Sequence, residues 1–161
     1  MIITKYINKE DYIELTIHLE EAIKPYQRNR SGRGHTYDPL NTYKNNLKNK
    51  LKELLESKLD NLQLEGECEF NIEYFIAYPK SSLTKKREKA INDNILKPIK
   101  KPDLDNIAKN SYDILNGILY KDDAQIISSS IRKHYVTNEN DEDTVFDIKI
   151  YKNEKLIKGR L

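Results

Sequence analysis

Between Tyr12 and Leu19 the chain alternates. Ile13, Leu15, Ile17 and Leu19 share one side, and Glu14, Thr16 and His18 share the other. A period of two predicts a strand with one buried face. The same pattern returns from Phe70 to Tyr78, where Phe70, Ile72, Tyr74 and Ile76 interleave with Glu69, Asn71, Glu73 and Phe75, and it ends at Pro79. Between these strands the period changes. Leu47, Leu51, Leu54, Leu55 and Leu59 fall at helical spacing, which predicts a helix over Asn41 to Leu59 with Asn41 or Thr42 as its cap and Gly66 in the turn beyond. A second helix follows Pro102: Leu104, Ile107, Ala108, Ser111, Ile114 and Leu115 keep the i, i+3, i+4 rhythm, and Asn116-Gly117 stops it. Two closing strands, about Gln125 to Tyr135 and Val145 to Tyr151, are joined by the acidic stretch TNENDED.

Two segments lack a clear period. KPYQRNRSGRGHTYDP (Lys24 to Pro39) reads as a long loop or an irregular hairpin. Lys80 to Pro102 reads as a basic, mobile insertion with room for a short helix around Thr84 to Ile91. The element order strand, helix, strand, helix, strand, strand predicts an α/β (α+β) fold, a small mixed sheet of about four strands packed with two main helices. With 161 residues and no internal repeat, one domain spanning 1–161 is expected, with the insertion at about 80–101.

Composition narrows the function. The chain is 37% hydrophobic and 34% charged, and its aromatic residues are mostly Tyr, 11 against three Phe. Rings of that kind line wet surfaces as readily as cores. The net charge is only +2, but Lys80 to Lys101 carries eight Lys or Arg against two acidic residues. Local patches of this kind suit a polyanion-binding face. One cysteine, Cys68, excludes an intrachain disulfide and a multi-cysteine zinc site, and a reducing cytoplasm is the natural compartment. The N-terminal residues lack the apolar core of a signal peptide, and no stretch approaches the roughly 18 apolar residues that span a bilayer.

The chemistry concentrates in KPDLDNIAKNSYDILNGILYKDDAQI, Lys101 to Ile126, which holds five aspartates. Asp103 stands where the helix should start and Asp105 in its first turn, with Lys109 four residues later on the same face and Asp113 four beyond that. Taken alone, such a pair also reads as a cap that complements the helix dipole. Asp122 and Asp123 lie just before the next strand, again at an element end, where sites are built. Carboxylates repel one another unless a cation lies between them. With no His or Cys nearby, the oxygen-only set suits Mg²⁺ or Mn²⁺ better than zinc.

This stretch closely resembles the core of the RusA family of Holliday junction resolvases: D-L-D-N, a Lys four residues after the second Asp, a D-x-L-N-G turn, then D-D-x-Q-I. The resemblance implies a RusA-like fold and a Mg²⁺-dependent endonuclease that binds four-way DNA junctions as a homodimer and cuts two strands symmetrically. It places the catalytic residues at Asp103, Asp105, Lys109 and Asp123 and the metal ligands at Asp103, Asp105 and Asp123, with Asp122 able to share. Pro102 stands where some relatives carry a basic residue, so phosphate contacts there fall to Lys100 or Lys101. The other expected DNA-binding residues are Arg28, Arg30, Arg33, Lys85, Lys86 and Arg87. Tyr26 and Tyr37 flank the arginines and are expected to pack under the loop or stack on unpaired bases. A non-catalytic nucleic-acid-binding module, or a metal nuclease acting on flaps or forks, is the rival expectation.

Overall fold

The computed structural model describes residues 1–32, 34–56 and 65–152. Among these residues seven strands form, β1 (Ile2–Asn8), β2 (Tyr12–His18), β3 (Arg30–Gly32), β4 (His35–Tyr37), β5 (Cys68–Ala77), β6 (Ile126–Val136) and β7 (Asp143–Tyr151), with three α-helices, α1 (Asn41–Glu56), α2 (Lys85–Asn92) and α3 (Leu104–Leu115). Five strands make one sheet in the order β1-β2-β7-β5-β6, and β3 and β4 form a separate hairpin. The large sheet is mixed: β5 and β6 run parallel and the other neighbours antiparallel. An α+β architecture is thus observed, as the element order predicted, with more strands than expected.

The period-two pattern explains how the sheet is covered. Ile13, Leu15 and Ile17 of β2, Phe70 and Ile72 of β5, and Phe146, Ile148 and Ile150 of β7 point to one face and are almost wholly buried. Leu47, Leu51 and Leu55 of α1 and Ile107, Ile114 and Leu115 of α3 close over them. The opposite face is polar and pairs with itself. Lys5 bonds Glu14 at 2.8 Å, Thr16 bonds Asp147 at 2.7 Å, and Arg132 bonds Glu73 at 2.9 Å. One buried and one wetted face is the ordinary arrangement for a largely antiparallel sheet.

One element was not expected, and two others are among the forms expected. The N-terminal residues form β1, an edge strand. The segment from Lys24 to Pro39 contains a two-stranded hairpin, one of the two forms expected of it. The basic insertion opens with a 3-10 turn at Lys80–Ser82 and carries the short helix expected around Thr84 to Ile91 as α2, with Thr84 at the N-cap accepting a bond from the Arg87 amide and with Ile91 buried. Asn41 is the first residue of α1, and just before it the Asp38 carboxylate accepts the Leu40 N–H at 2.8 Å. Leu59 and Arg33 lie outside the described residues.

Two glycines shape the ground on which the aspartates stand. Gly117 ends α3 with φ +76°, the left-handed conformation that glycine adopts without steric cost. Beyond it Tyr120 turns inward, fully buried, and its hydroxyl donates to the Tyr112 carbonyl at 2.8 Å. Gly66 lies against β7 so closely that a Cβ there would stand 1.6 Å from the Tyr151 carbonyl oxygen. Its own carbonyl accepts the Gln125 side-chain amide at 2.8 Å, which ties the turn to the approach to β6. Cys68, buried nearby, has its thiol pushed up to about 12 by burial, which disfavours the reactive thiolate. Among the described residues no helix is long and apolar enough to cross a membrane.

Candidate active site

The start of α3 is presented by its neighbours. Lys133, on the helix side of β6, donates to the carbonyls of Lys100 and Pro102 at 2.9 Å each and so holds the chain just before the helix. The Lys101-Pro102 peptide is cis. Asp103 then takes the N-cap position with extended backbone, φ −76° and ψ 146°, but its side chain makes no capping bond. The capping role open to it in the sequence is not taken up. Asp105 follows in the first turn, and both carboxylates are exposed. Among the described residues neither enters an ion pair.

Near the other end of α3, the Tyr112 hydroxyl donates to Ser129 Oγ at 2.5 Å. The helix therefore begins beside Lys133 and ends beside Ser129, which makes it run against the direction of β6. Asp122 and Asp123 immediately precede β6, so they stand at the far end. With 12 residues, α3 is about 18 Å long. Asp122 is committed to structure: its carboxylate accepts the Ala124 N–H at 2.8 Å in a capping box completed by Gln125. Asp123 is exposed and lines an open groove of about 390 Å³ with Tyr112, Ile126, Ile127, Ser128 and Ser129. Asp103 and Asp105 thus share one end of the helix and Asp123 the other. Among the described residues no three His, Cys, Asp or Glu side chains make a set able to hold a metal ion.

Lys109 lies between those ends. Its ammonium sits 4.0 Å from the centroid of the Tyr26 ring, and among the described residues it pairs with neither Asp105 nor Asp113. Asp113 is taken by Lys44 of α1, whose ammonium reaches it at 2.7 Å and Asp38 at 2.9 Å. Burial disfavours the Lys44 charge, yet its bonds to Asp113 and Asp38 outweigh that and hold its pKa above the ordinary lysine value. Burial likewise pushes Asp38 up, but the bonds from Lys44 and the Leu40 N–H bring it below the ordinary aspartate value. These shifts stabilise the fold over opposite ranges. Asp38 contributes above about pH 4 and its contribution fades as pH falls through the depressed folded value; Lys44 contributes below about pH 10 and fades as pH rises through its raised one. Lys44→Met is expected to cost about 1–3 kcal/mol at neutral pH and to flatten the melting temperature against pH at both extremes. A pH series of thermal melts checks this.

The basic residues fall into two groups. Arg28 and Arg30 are exposed in the segment that follows Tyr26, whose N–H donates to the Asn106 carbonyl at 2.8 Å, so they lead away from the first half of α3. Lys100 and Lys101, also exposed, run directly into Asp103. Lys85, Lys86 and Arg87 sit farther off on α2, and Arg87 spends one guanidinium nitrogen on the Ser82 carbonyl at 2.6 Å. Tyr37 is 52% exposed, whereas Tyr26 is half-buried beneath lysines. The pairing of Lys44 with Asp113 and the seat of Lys109 on Tyr26 were not foreseen. Each joins residues 69 or more positions apart, and no local spacing announces them.

An exposed carboxylate pair and a lysine thus stand on one helix, flanked by basic chain and set on an α+β sheet. Residues 22–148 match the family described as Endodeoxyribonuclease RusA. That match spans most of the sequence, and the chain belongs to the RusA endodeoxyribonuclease family, which acts on Holliday junctions. It is also similar to the uncharacterized protein YqaN of Bacillus subtilis (strain 168), with 28% identity over 128 residues that cover 78% of this chain and 89% of that protein.

Proposed function

We propose that the chain works as a homodimeric, divalent-metal-dependent resolvase that nicks two symmetry-related strands of a four-way DNA junction, each cut made at a site shared between two copies. The division of the acidic residues between the two ends of α3 carries this reading. Neither end alone offers three free carboxylates. A second copy related by a two-fold axis would set Asp123 of one against Asp103 and Asp105 of the other, and the symmetry would build the site twice. A four-way junction has the same approximate two-fold symmetry.

The donor set is all oxygen, so it fits Mg²⁺, with Mn²⁺ as a substitute. Such an ion supplies a Lewis acid for the phosphate and a more acidic water. Asp103, Asp105 and Asp123 would hold it. Lys109 contributes a fixed positive charge beside the phosphate as charge builds there and a proton for the departing 3′ oxygen. Arg28, Arg30, Lys100 and Lys101 hold the backbone on either side of the helix without reading sequence, and Lys85 and Lys86 extend that track. We assign the whole chain to one domain acting in a reducing cytoplasm, a setting suited to a lone, buried thiol.

The test compares a labelled synthetic four-way junction with a linear duplex, in Mg²⁺ and in chelator. Paired nicks in the junction alone, and only with metal, are expected. Binding without nicks in either Mg²⁺ or Mn²⁺ would reduce the chain to a binding module, and cleavage of flaps or forks but not four-way junctions would change the substrate.

A further inference from the structure

From the contacts around Tyr26 we infer that this residue is the positioning residue for Lys109: its ring seats the ammonium and leaves the N–H groups free for phosphate. The inference rests on the role proposed for Lys109 above. Helix α3 grips the chain at Lys24 and at Tyr26 itself. The buried Asn110 donates to the Lys24 carbonyl at 2.6 Å, and the Asn106 carbonyl accepts the Tyr26 N–H at 2.8 Å. Asn106 adjoins Asp105, and Asn110 adjoins Lys109. The helix that carries the acidic pair and the lysine therefore also fixes the ring at 4.0 Å from the lysine ammonium.

The kind of contact matters for the chemistry. A lysine at this helical spacing would ordinarily lean on Asp105 or Asp113 and be neutralised there. Here Asp113 is occupied by Lys44 at 2.7 Å, and the Lys109 ammonium rests on a π face instead. A ring attracts the cation through its quadrupole and accepts no conventional hydrogen bond from it. The ammonium is held in place, and no ion pair has to break before it meets a phosphate oxygen. The Lys44 ammonium, 5.6 Å from the same ring, is already neutralised by its two carboxylates, so it competes little for that face.

The experiment uses the full chain and single-turnover junction cleavage, with junction binding measured in parallel. Tyr26→Phe keeps the π face and is expected to cut at close to the parent rate. Tyr26→Leu is expected to bind the junction unchanged but to cut roughly 5- to 30-fold more slowly, the rate equivalent of one lost cation–π contact. Phenylalanine analogues with one, two and three ring fluorines at position 26 should lower the logarithm of the rate in even steps as the face loses electron density. A merely structural ring would not follow that series. A second readout needs no activity: the Lys109 ε-CH₂ protons should shift upfield under the Tyr26 ring current and return to ordinary values in Tyr26→Leu. Loss of that shift together with the fluorine trend supports the inference. A flat fluorine series, or Lys109 resonances indifferent to position 26, overturns it. Lys109→Ala separates the two layers: if that variant cuts normally, the catalytic role of Lys109 has failed, whereas slow cutting by it with a flat position-26 series means that only the role of Tyr26 has failed.

Discussion

Asp105→Asn is expected to bind a four-way junction as tightly as the parent protein and to cut it at least about a hundredfold more slowly. Groups that merely orient metal ligands cost about 10- to 100-fold when removed, so a ligand itself should cost no less than the upper end of that range. The substitution is nearly isosteric and exchanges one anionic oxygen for an amide. Asp105 is exposed in the first turn of α3 and takes no part in the core, so little stability rides on it. Removing a negative charge from the surface proposed to face DNA cannot weaken phosphate binding through charge. The expected signature is therefore a split, with affinity kept and turnover lost. Electrophoretic binding and single-turnover cleavage on one labelled junction measure both sides of it. Normal cutting would remove Asp105 from the site.

Phe146→Ala is expected to have the largest effect on stability, about 3–5 kcal/mol. Phe146 lies in β7, the middle strand of the five, and is wholly buried. Ile17 of β2 stands opposite it on one side and Ile72 of β5 on the other, both equally buried, so the ring anchors a row across three strands. Truncation leaves a ring-sized void that strand neighbours on both sides cannot move in to fill. For a chain of this size the loss corresponds to a drop in melting temperature of roughly 6–20 °C, well outside the effect of any surface change. Thermal unfolding followed by circular dichroism reads it directly. A drop of a degree or two would mean that the sheet core is not where the alternating pattern and the burial put it.

How much was legible depended on how each element is buried. Strands β2, β5 and β7 have one dry and one wet face, so the alternation of Ile13, Leu15 and Ile17, or of Phe70, Ile72 and Tyr74, was written plainly in the chain. Strand β1 is half-exposed at the sheet edge, and its pairing shifts register between Ile3 and Lys5, which breaks the alternation that would have revealed it. All six strand residues of β3 and β4 are exposed, so burial imposes no pattern on them. Helix α2, expected as a short helix around Thr84 to Ile91, is polar apart from Ala90 and Ile91 and has Thr84 at its start. The acidic motif was legible as residue types at element ends, because those ends are set by Pro102, Asn116-Gly117 and the strand that follows. What spacing could not say was the direction of α3 along β6. That direction depends on long-range bonds, Lys133 to Lys100 and Pro102 at one end and Tyr112 to Ser129 at the other. It decides that Asp123 lies across the helix from Asp103 and Asp105. For the same reason Asp113, which in sequence looked like a neighbour for Lys109, is held by Lys44.

The most direct measurement mixes two dead variants. Asp105→Asn and Asp123→Asn are each prepared alone, shown to be inactive on the junction, then combined so that subunits exchange. If the site is shared between copies, every mixed dimer holds one intact set, Asp103 and Asp105 from one chain and Asp123 from the other, and one set broken twice. The mixture should then nick a single strand of the junction in Mg²⁺, at a rate that peaks at equal amounts of the two variants. If the three aspartates instead act within one chain, each subunit of a mixed dimer carries its own lesion, and the mixture would stay as inactive as its parts.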